Sequence, residues 1–178
     1  MPSLRFHPDA PDQDAGPPAA GRWEHARDGA GRLNLLLSYS GWRDESWADR
    51  LPRLLEPMGV RSHRAASARE ATRVIDSTPV HIAVVDLSLP LDAAGSEEAG
   101  PRILELLART TLRPPTVVIK RRRTARDDQR ELNAALRAGA FAVIDRPHDT
   151  HELERMLDVL RRILARHYRD QWPGLSQS

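Results

Sequence analysis

The chain predicts an α/β fold, a parallel sheet with helices covering both faces. Short apolar runs rich in β-branched side chains alternate five times with segments of helical spacing between Leu33 and Tyr168, the pattern of a parallel sheet with crossover helices. One run (Val80, Ile82, Ala83, Val84, Val85) is interrupted only by His81 and stops on Asp86, as suits a strand buried on both faces. The last segment places Leu153, Met156, Leu157, Leu160, Ile163 and Leu164 on one stripe of a long helix. An acidic residue at the end of a buried parallel strand lies where such sheets place their ligands, so Asp86 is the first candidate for function.

In chain order, Leu33 to Tyr39 reads as a first buried strand. Ser40 precedes a helical pattern of Trp47, Leu51, Leu54, Leu55 and Met58, which Gly59 closes as a C-terminal cap. Pro52 inside that pattern predicts a kink or a late start, and Pro57 strains the last turn. Residues 60–66 are a polar strand suited to a sheet edge. Ser67 caps a helix running through Asp76, with Ala71, Val74 and Ile75 inward. After Asp86 comes a loop with Gly95, Ser96, Glu97 and Glu98. A short helix over 101–109 then turns Ile103, Leu106 and Leu107 to one face, with Pro101 in its first turn. Thr116 to Ile119 is the fourth strand, followed directly by Lys120, Arg121, Arg122 and Arg123. A helix with Leu132 and Leu136 runs to Gly139, Ala140 to Ile144 is the fifth strand, and Asp145-Arg146-Pro147 ends it. The final helix starts near Asp149 or Thr150.

Composition bounds the reading. The 178 residues hold one domain of ordinary size plus tails. Residues 1–32, with Pro2, Pro8, Pro11, Pro17 and Pro18 and no apolar period, are expected to be disordered, with Trp23 as the residue able to anchor them. The domain is expected over 33–170 and a polar tail over 171–178. The absence of cysteine excludes disulfides and thiolate metal sites. With no apolar run of membrane length and no secretory signal pattern, the expected location is the cytoplasm. A formal charge of +2 is too small to argue for a polyanionic partner by itself.

Val84-Val85-Asp86-Leu87-Ser88-Leu89-Pro90, Gly139-Ala140 and Arg146-Pro147, set in five strand–helix units, resemble the receiver domain of bacterial response regulators (CheY-like) over residues 33–168. The resemblance implies a flavodoxin-like, doubly wound sheet of order 2-1-3-4-5, with its site where the order switches. It also implies phosphoryl transfer from a partner histidine kinase to Asp86, assisted by Mg²⁺ on two acidic residues at the end of the first strand. Those positions are Ser38 and Tyr39, both neutral, so Mg²⁺ binding is expected to be weak or absent and no cofactor is assigned. The Thr or Ser that ends the family's fourth strand is Lys120, and its fifth-strand lysine is Arg146, followed by Pro147. The family's swinging aromatic is Val143. The resemblance therefore implies a degenerate pocket of Ser38, Tyr39, Asp86, Lys120, Arg146 and Pro147. In it, Asp86, Lys120 and Arg146 are expected to form a standing ion-pair cluster.

Other candidates are fewer. No glycine-rich phosphate loop or nucleophile elbow is present, and the chain is not expected to be an enzyme. His81 reads as a core histidine. His148 and His151 have a helical ligand spacing but no second cluster to complete a metal site. Lys120, Arg121, Arg122, Arg123 and Arg126 are either a solvated loop partly neutralised by Asp127 and Asp128, or a site for phosphate, nucleotide or nucleic acid. No aromatic is interleaved there to stack on bases. The last helix is longer than the domain needs, so its final turns are expected to project and offer a homodimer or partner contact. The expected function is a stand-alone atypical receiver in phosphorelay signalling, docking a histidine kinase or downstream effector largely independently of phosphorylation. The alternatives are a genuine phosphoacceptor at Asp86 with weakened Mg²⁺ dependence, and anion or nucleic-acid binding through the Lys120–Arg126 loop.

Overall fold

The computed structural model describes residues 32–41, 46–121 and 125–169. The expected tail over 1–32 falls outside these residues except at Arg32, as do Trp23, Arg122, Arg123 and the 171–178 segment.

Five strands and five helices alternate. They are β1 (Leu33–Ser38), α1 (Ser46–Leu55), β2 (Val60–Ala65), α2 (Ala68–Ser77), β3 (Ile82–Asp86), α3 (Gly100–Arg109), β4 (Thr116–Lys120), α4 (Ala125–Arg137), β5 (Ala142–Asp145) and α5 (Thr150–Tyr168). All neighbouring strands are parallel, in the order β2-β1-β3-β4-β5. This is the doubly wound, flavodoxin-like arrangement the resemblance implies. The switch between β1 and β3 places the ends of those strands, Ser38 and Asp86, side by side.

The period of two along each strand divides the apolar residues between two cores. Leu35, Leu37, Ile82, Val84, Val117 and Ile119 face α1 and α5. Leu36, Ala83, Val85 and Val118 face the other side, against α2, α3 and α4. Both faces are covered, so β1, β3 and β4 are apolar nearly throughout. The polar strand β2 lies at one edge, as its composition predicts.

Local chemistry sets the helix ends. Ser67 Oγ accepts from the Glu70 N–H at 3.3 Å, and Glu70 Oε2 accepts from the Ala66 N–H at 2.7 Å, a reciprocal cap on α2. Pro52 sits inside α1 without ending it, and Glu56–Met58 follows as a 3₁₀ turn. Gly59 then closes the turn at φ 78°, a left-handed conformation that glycine adopts without penalty. Gly100 opens α3 against the backbone of Asp86 and Leu87. A Cβ there would lie 2.6 Å from Leu87 Cα, so only glycine lets α3 approach the end of β3 this closely.

The helices cover their apolar stripes unevenly. Leu54 and Leu136 are exposed, and Ala135 takes the core position on α4. On α3, Leu104 is buried and Leu106 is only half-buried, because the helix is rotated toward Leu104 to cover the sheet. The final turns of α5 do not project: Ile163, Leu164 and Tyr168 are buried in the same core as Leu153 and Met156. At about 1.5–3 kcal/mol for each fully buried large apolar side chain, the last two turns contribute to the domain itself.

Tyr168 shows why the helix is that long. Its hydroxyl donates to the His81 carbonyl at 2.5 Å, and burial pushes its phenol up to about 12. His81 Nδ1 in turn accepts the Asn34 N–H at 2.9 Å, and Asn34 Oδ1 lies 3.1 Å from His63 Nε2. A polar network thus crosses the lower end of the sheet from β2 to α5, and His81 is the core histidine its apolar strand predicts.

Candidate functional site

At the upper end of the sheet, Asp86 is fully buried although it is a carboxylate. A buried charge requires a partner, and the chain supplies several. Arg146, just after β5, donates from Nη2 to Asp86 Oδ2 at 2.5 Å. Ser40, just after β1, donates to the same oxygen from its N–H at 3.3 Å and from Oγ at 3.1 Å. Ser40 Oγ also accepts from Arg146 Nη2 at 3.1 Å, closing a three-membered cluster. The other oxygen, Oδ1, accepts the Ser88 N–H at 2.9 Å. Charge-assisted bonds of this kind are about twice as strong as neutral ones, and here they fix both carboxylate oxygens.

The positions expected to hold a metal do something else. Ser38 Oγ donates to the Val84 carbonyl at 3.0 Å, tying β1 to β3. Tyr39 is fully buried, with Trp47 of α1 edge-on at 4.8 Å between ring centroids. The Arg146 guanidinium lies over the Tyr39 ring, 4.7 Å from its centroid. Tyr39 is therefore the platform that holds Arg146 on Asp86, through a cation–π contact strengthened by burial. Pro147 is buried directly behind Arg146.

Mg²⁺ takes oxygen ligands, usually one or two carboxylates plus water and phosphate. Among the described residues, Asp86 is the carboxylate in this pocket, and its oxygens are bonded to Arg146, Ser40 and Ser88. These described residues do not fit the metal. Among the described residues no group of three or more His, Asp or Glu side chains converges as a metal site elsewhere.

The expected standing ion pair at Asp86 is formed by Arg146, and Lys120 pairs with Asp145. The Lys120 Nζ lies 2.6 Å from Asp145 Oδ1, whereas Arg146 alone of the two cations lies on Asp86. The reason is register: Lys120 and Asp145 are direct partners across β4 and β5, so their side chains leave the sheet together. Lys120 is buried in consequence and does not extend a basic patch. Arg121 is exposed, and the Arg122, Arg123 and Arg126 side chains lie outside the described residues. Val143, at the family's aromatic position, is half-buried against the α2–α3–α4 core. Sequence reasoning missed Ser40, Gly100 and Asp145. Asp145 was readable, because a carboxylate one residue before Arg146 falls opposite Lys120 once the two strands are paired. Ser40 carried no such signal.

No family model matches the chain, and no curated protein matches it. Solved structures do. A CheY-like response regulator receiver domain protein from Methanospirillum hungatei JF-1 superposes with a TM-score of 0.59 at 19% identity, covering 78% of this chain and 98% of that one. A two-component response regulator from Clostridium difficile gives 0.58 at 19% identity, covering 76% and 98%. A response regulator from Thermotoga maritima gives 0.58 at 14%, covering 75% and 98%. The chain has the receiver fold. At these identities the likeness extends to the fold, and the pocket must be read from its own residues. In the receiver fold the end of β3 is the centre of the upper face, where Asp86 stands. No helix among the described residues is long and apolar enough to cross a membrane.

Proposed function

We propose that this chain is an atypical receiver domain in two-component-type signalling, a cytoplasmic module that acts by docking a histidine kinase or a downstream effector. Its pocket is held in one state by Arg146 instead of being switched by phosphoryl transfer. The observation that carries this reading is the buried pair of Arg146 Nη2 and Asp86 Oδ2, 2.5 Å apart and bridged by Ser40. Transfer to Asp86 needs a carboxylate oxygen free to attack and a cation that neutralises the moving phosphoryl group. Arg146 supplies positive charge, but on the attacking group, where it lowers nucleophilicity. Displacing it leaves a buried carboxylate unpaired, at about 3–5 kcal/mol. The receiver fold supports the signalling role. The exposed Leu136 on α4 and Phe141 before β5 offer an apolar contact on the face formed by α4, β5 and α5.

Incubating the chain with acetyl phosphate and Mg²⁺ and measuring intact mass tests this. The expected result is an unchanged mass. The second reading, a phosphoacceptor with weakened Mg²⁺ dependence, draws on Asp86 Oδ1, which accepts the Ser88 N–H while Arg146 donates to Oδ2. A gain of one phosphoryl group that disappears in Asp86→Asn establishes that reading and overturns the first.

A further inference from the structure

Away from the Asp86 pocket, α2 and α3 leave a groove between them. Two cavities of about 710 and 450 Å³ share Leu106 and Arg109 and so form one channel. Leu91, Ile103 and Leu106 make its upper floor, and Ile75 and Val80 its lower floor. Arginines stand on both walls, Arg69 and Arg73 from α2 and Arg102 and Arg109 from α3, against the carboxylates Asp76 and Glu105. Arg102 is also paired with Glu97 at 2.9 Å. An apolar floor between basic walls suits a segment with apolar anchors followed by carboxylates.

We propose that this groove is the docking site of the chain's own residues 4–14. That segment supplies Leu4 and Phe6 as anchors and Asp9, Asp12 and Asp14 against the single Arg5, and no lysine or arginine lies between Phe6 and Gly21. Pro8 and Pro11 carry no backbone N–H, so the segment has fewer donors to satisfy in a groove between helices. Position supports the same occupant. The tail joins the domain at Leu33, and the adjacent Asn34 donates from Nδ2 to the Pro79 carbonyl at 3.0 Å. Pro79 lines the lower end of the groove. A connection of the length from Asp14 to Arg32 has a random-coil span of roughly 20–25 Å, enough to reach along helices of about 15 Å. Tethering at that distance gives a millimolar effective concentration, so a weak acidic–basic match suffices for occupancy. Occupancy would cover α2 and α3 and leave the Asp86 pocket and the α4–β5–α5 face untouched, so it does not rest on the function proposed above.

The chain has no cysteine, so one introduced cysteine carries a unique spin label. In the ¹⁵N-labelled full chain, a nitroxide on Thr111→Cys, at the lower end of the groove, is expected to broaden the amide signals of residues 4–14. A nitroxide on Arg161→Cys, on α5 across the sheet, is expected to leave them sharp. The broadening is lost in Asp9→Asn/Asp12→Asn/Asp14→Asn, in Arg73→Glu/Arg109→Glu, and at high salt. Equal broadening from both labels, or none from Thr111→Cys, overturns the proposal. So does broadening seen only between separately labelled chains, which assigns the groove to a second copy. If the tail signals stay sharp while an added acidic peptide shifts the groove signals, the occupant belongs to another protein and the proposal fails.

Discussion

The two ends of the sheet solve the same problem in opposite ways. β1 and β3 carry buried polar residues at both ends, Ser38 and Asp86 above, Asn34 and His81 below. Below, the groups are hydrogen-bonded backbone, amide, imidazole and phenol, joined as His63–Asn34–His81–Tyr168. Above, a full negative charge is matched by a full positive one, with Ser40 between them. A hydrogen bond between uncharged groups contributes about 0.5–1.5 kcal/mol net. Breaking a buried ion pair from one side costs several times that, because the remaining charge has no solvent. The lower end therefore stabilises the fold by ordinary means. The upper end concentrates a much larger local energy on one residue pair.

The largest expected effect comes from removing one charge. Arg146→Met should lower the unfolding free energy in urea by about 3–5 kcal/mol, and Asp86→Asn/Arg146→Met should regain most of it. Equal losses in the single and double variants would mean that Arg146 acts through packing on Tyr39. Next is Gly100→Ala, which forces α3 off the Asp86–Leu87 backbone and should cost about 1–3 kcal/mol. A near-neutral result would show that the helix can shift at the upper end.

At the lower end, Tyr168→Phe should cost about 1–2 kcal/mol, the loss of the buried hydrogen bond to the His81 carbonyl. The phenol's value of about 12, raised from 10.0 by burial, means the folded state retains a proton that the unfolded state releases. Stability should therefore fall as pH rises from 10 toward 12, and this alkaline loss should be absent in Tyr168→Phe. The smallest effect is near neutrality. Burial and the nearby Arg61 lower His63 from 6.5, so the fold favours its neutral form. Stability should be full above pH 6.5 and decline as pH falls through that value, with a shallower slope in His63→Gln when Tm is followed from pH 7.5 to 5.5.

Much of this could be read without coordinates. The five alternating units, the burial of β1 and β3, the Ser67 cap and the Gly59 stop all follow from period and local chemistry. The strand-end position of Asp86 follows too. The rest has a common cause. Leu54, Leu106 and Leu136 sit at helical spacing, yet the rotation of each helix against the sheet decides which side of a broad apolar stripe is covered. The length of α5 looked like a projection because nothing local shows that Tyr168 meets the His81 carbonyl, 87 positions away in the chain. Within the site, Asp86, Arg146 and the neutral Ser38 and Tyr39 could be named from sequence, whereas Ser40 could not.

The sequence by itself determined the fold class, the strand order through its family resemblance, and the loss of carboxylates at the end of β1. Those properties reside in residue types and their spacing. Only the tertiary structure decided which cation meets Asp86. Lys120 and Arg146 are both strand-end bases, and neither composition nor spacing ranks them. Strand pairing puts Asp145 beside Lys120, and the Tyr39 ring gives the planar guanidinium of Arg146 a surface to lie on. The choice depends on register and on a face-to-cation contact, and both exist only once β1, β3, β4 and β5 are assembled.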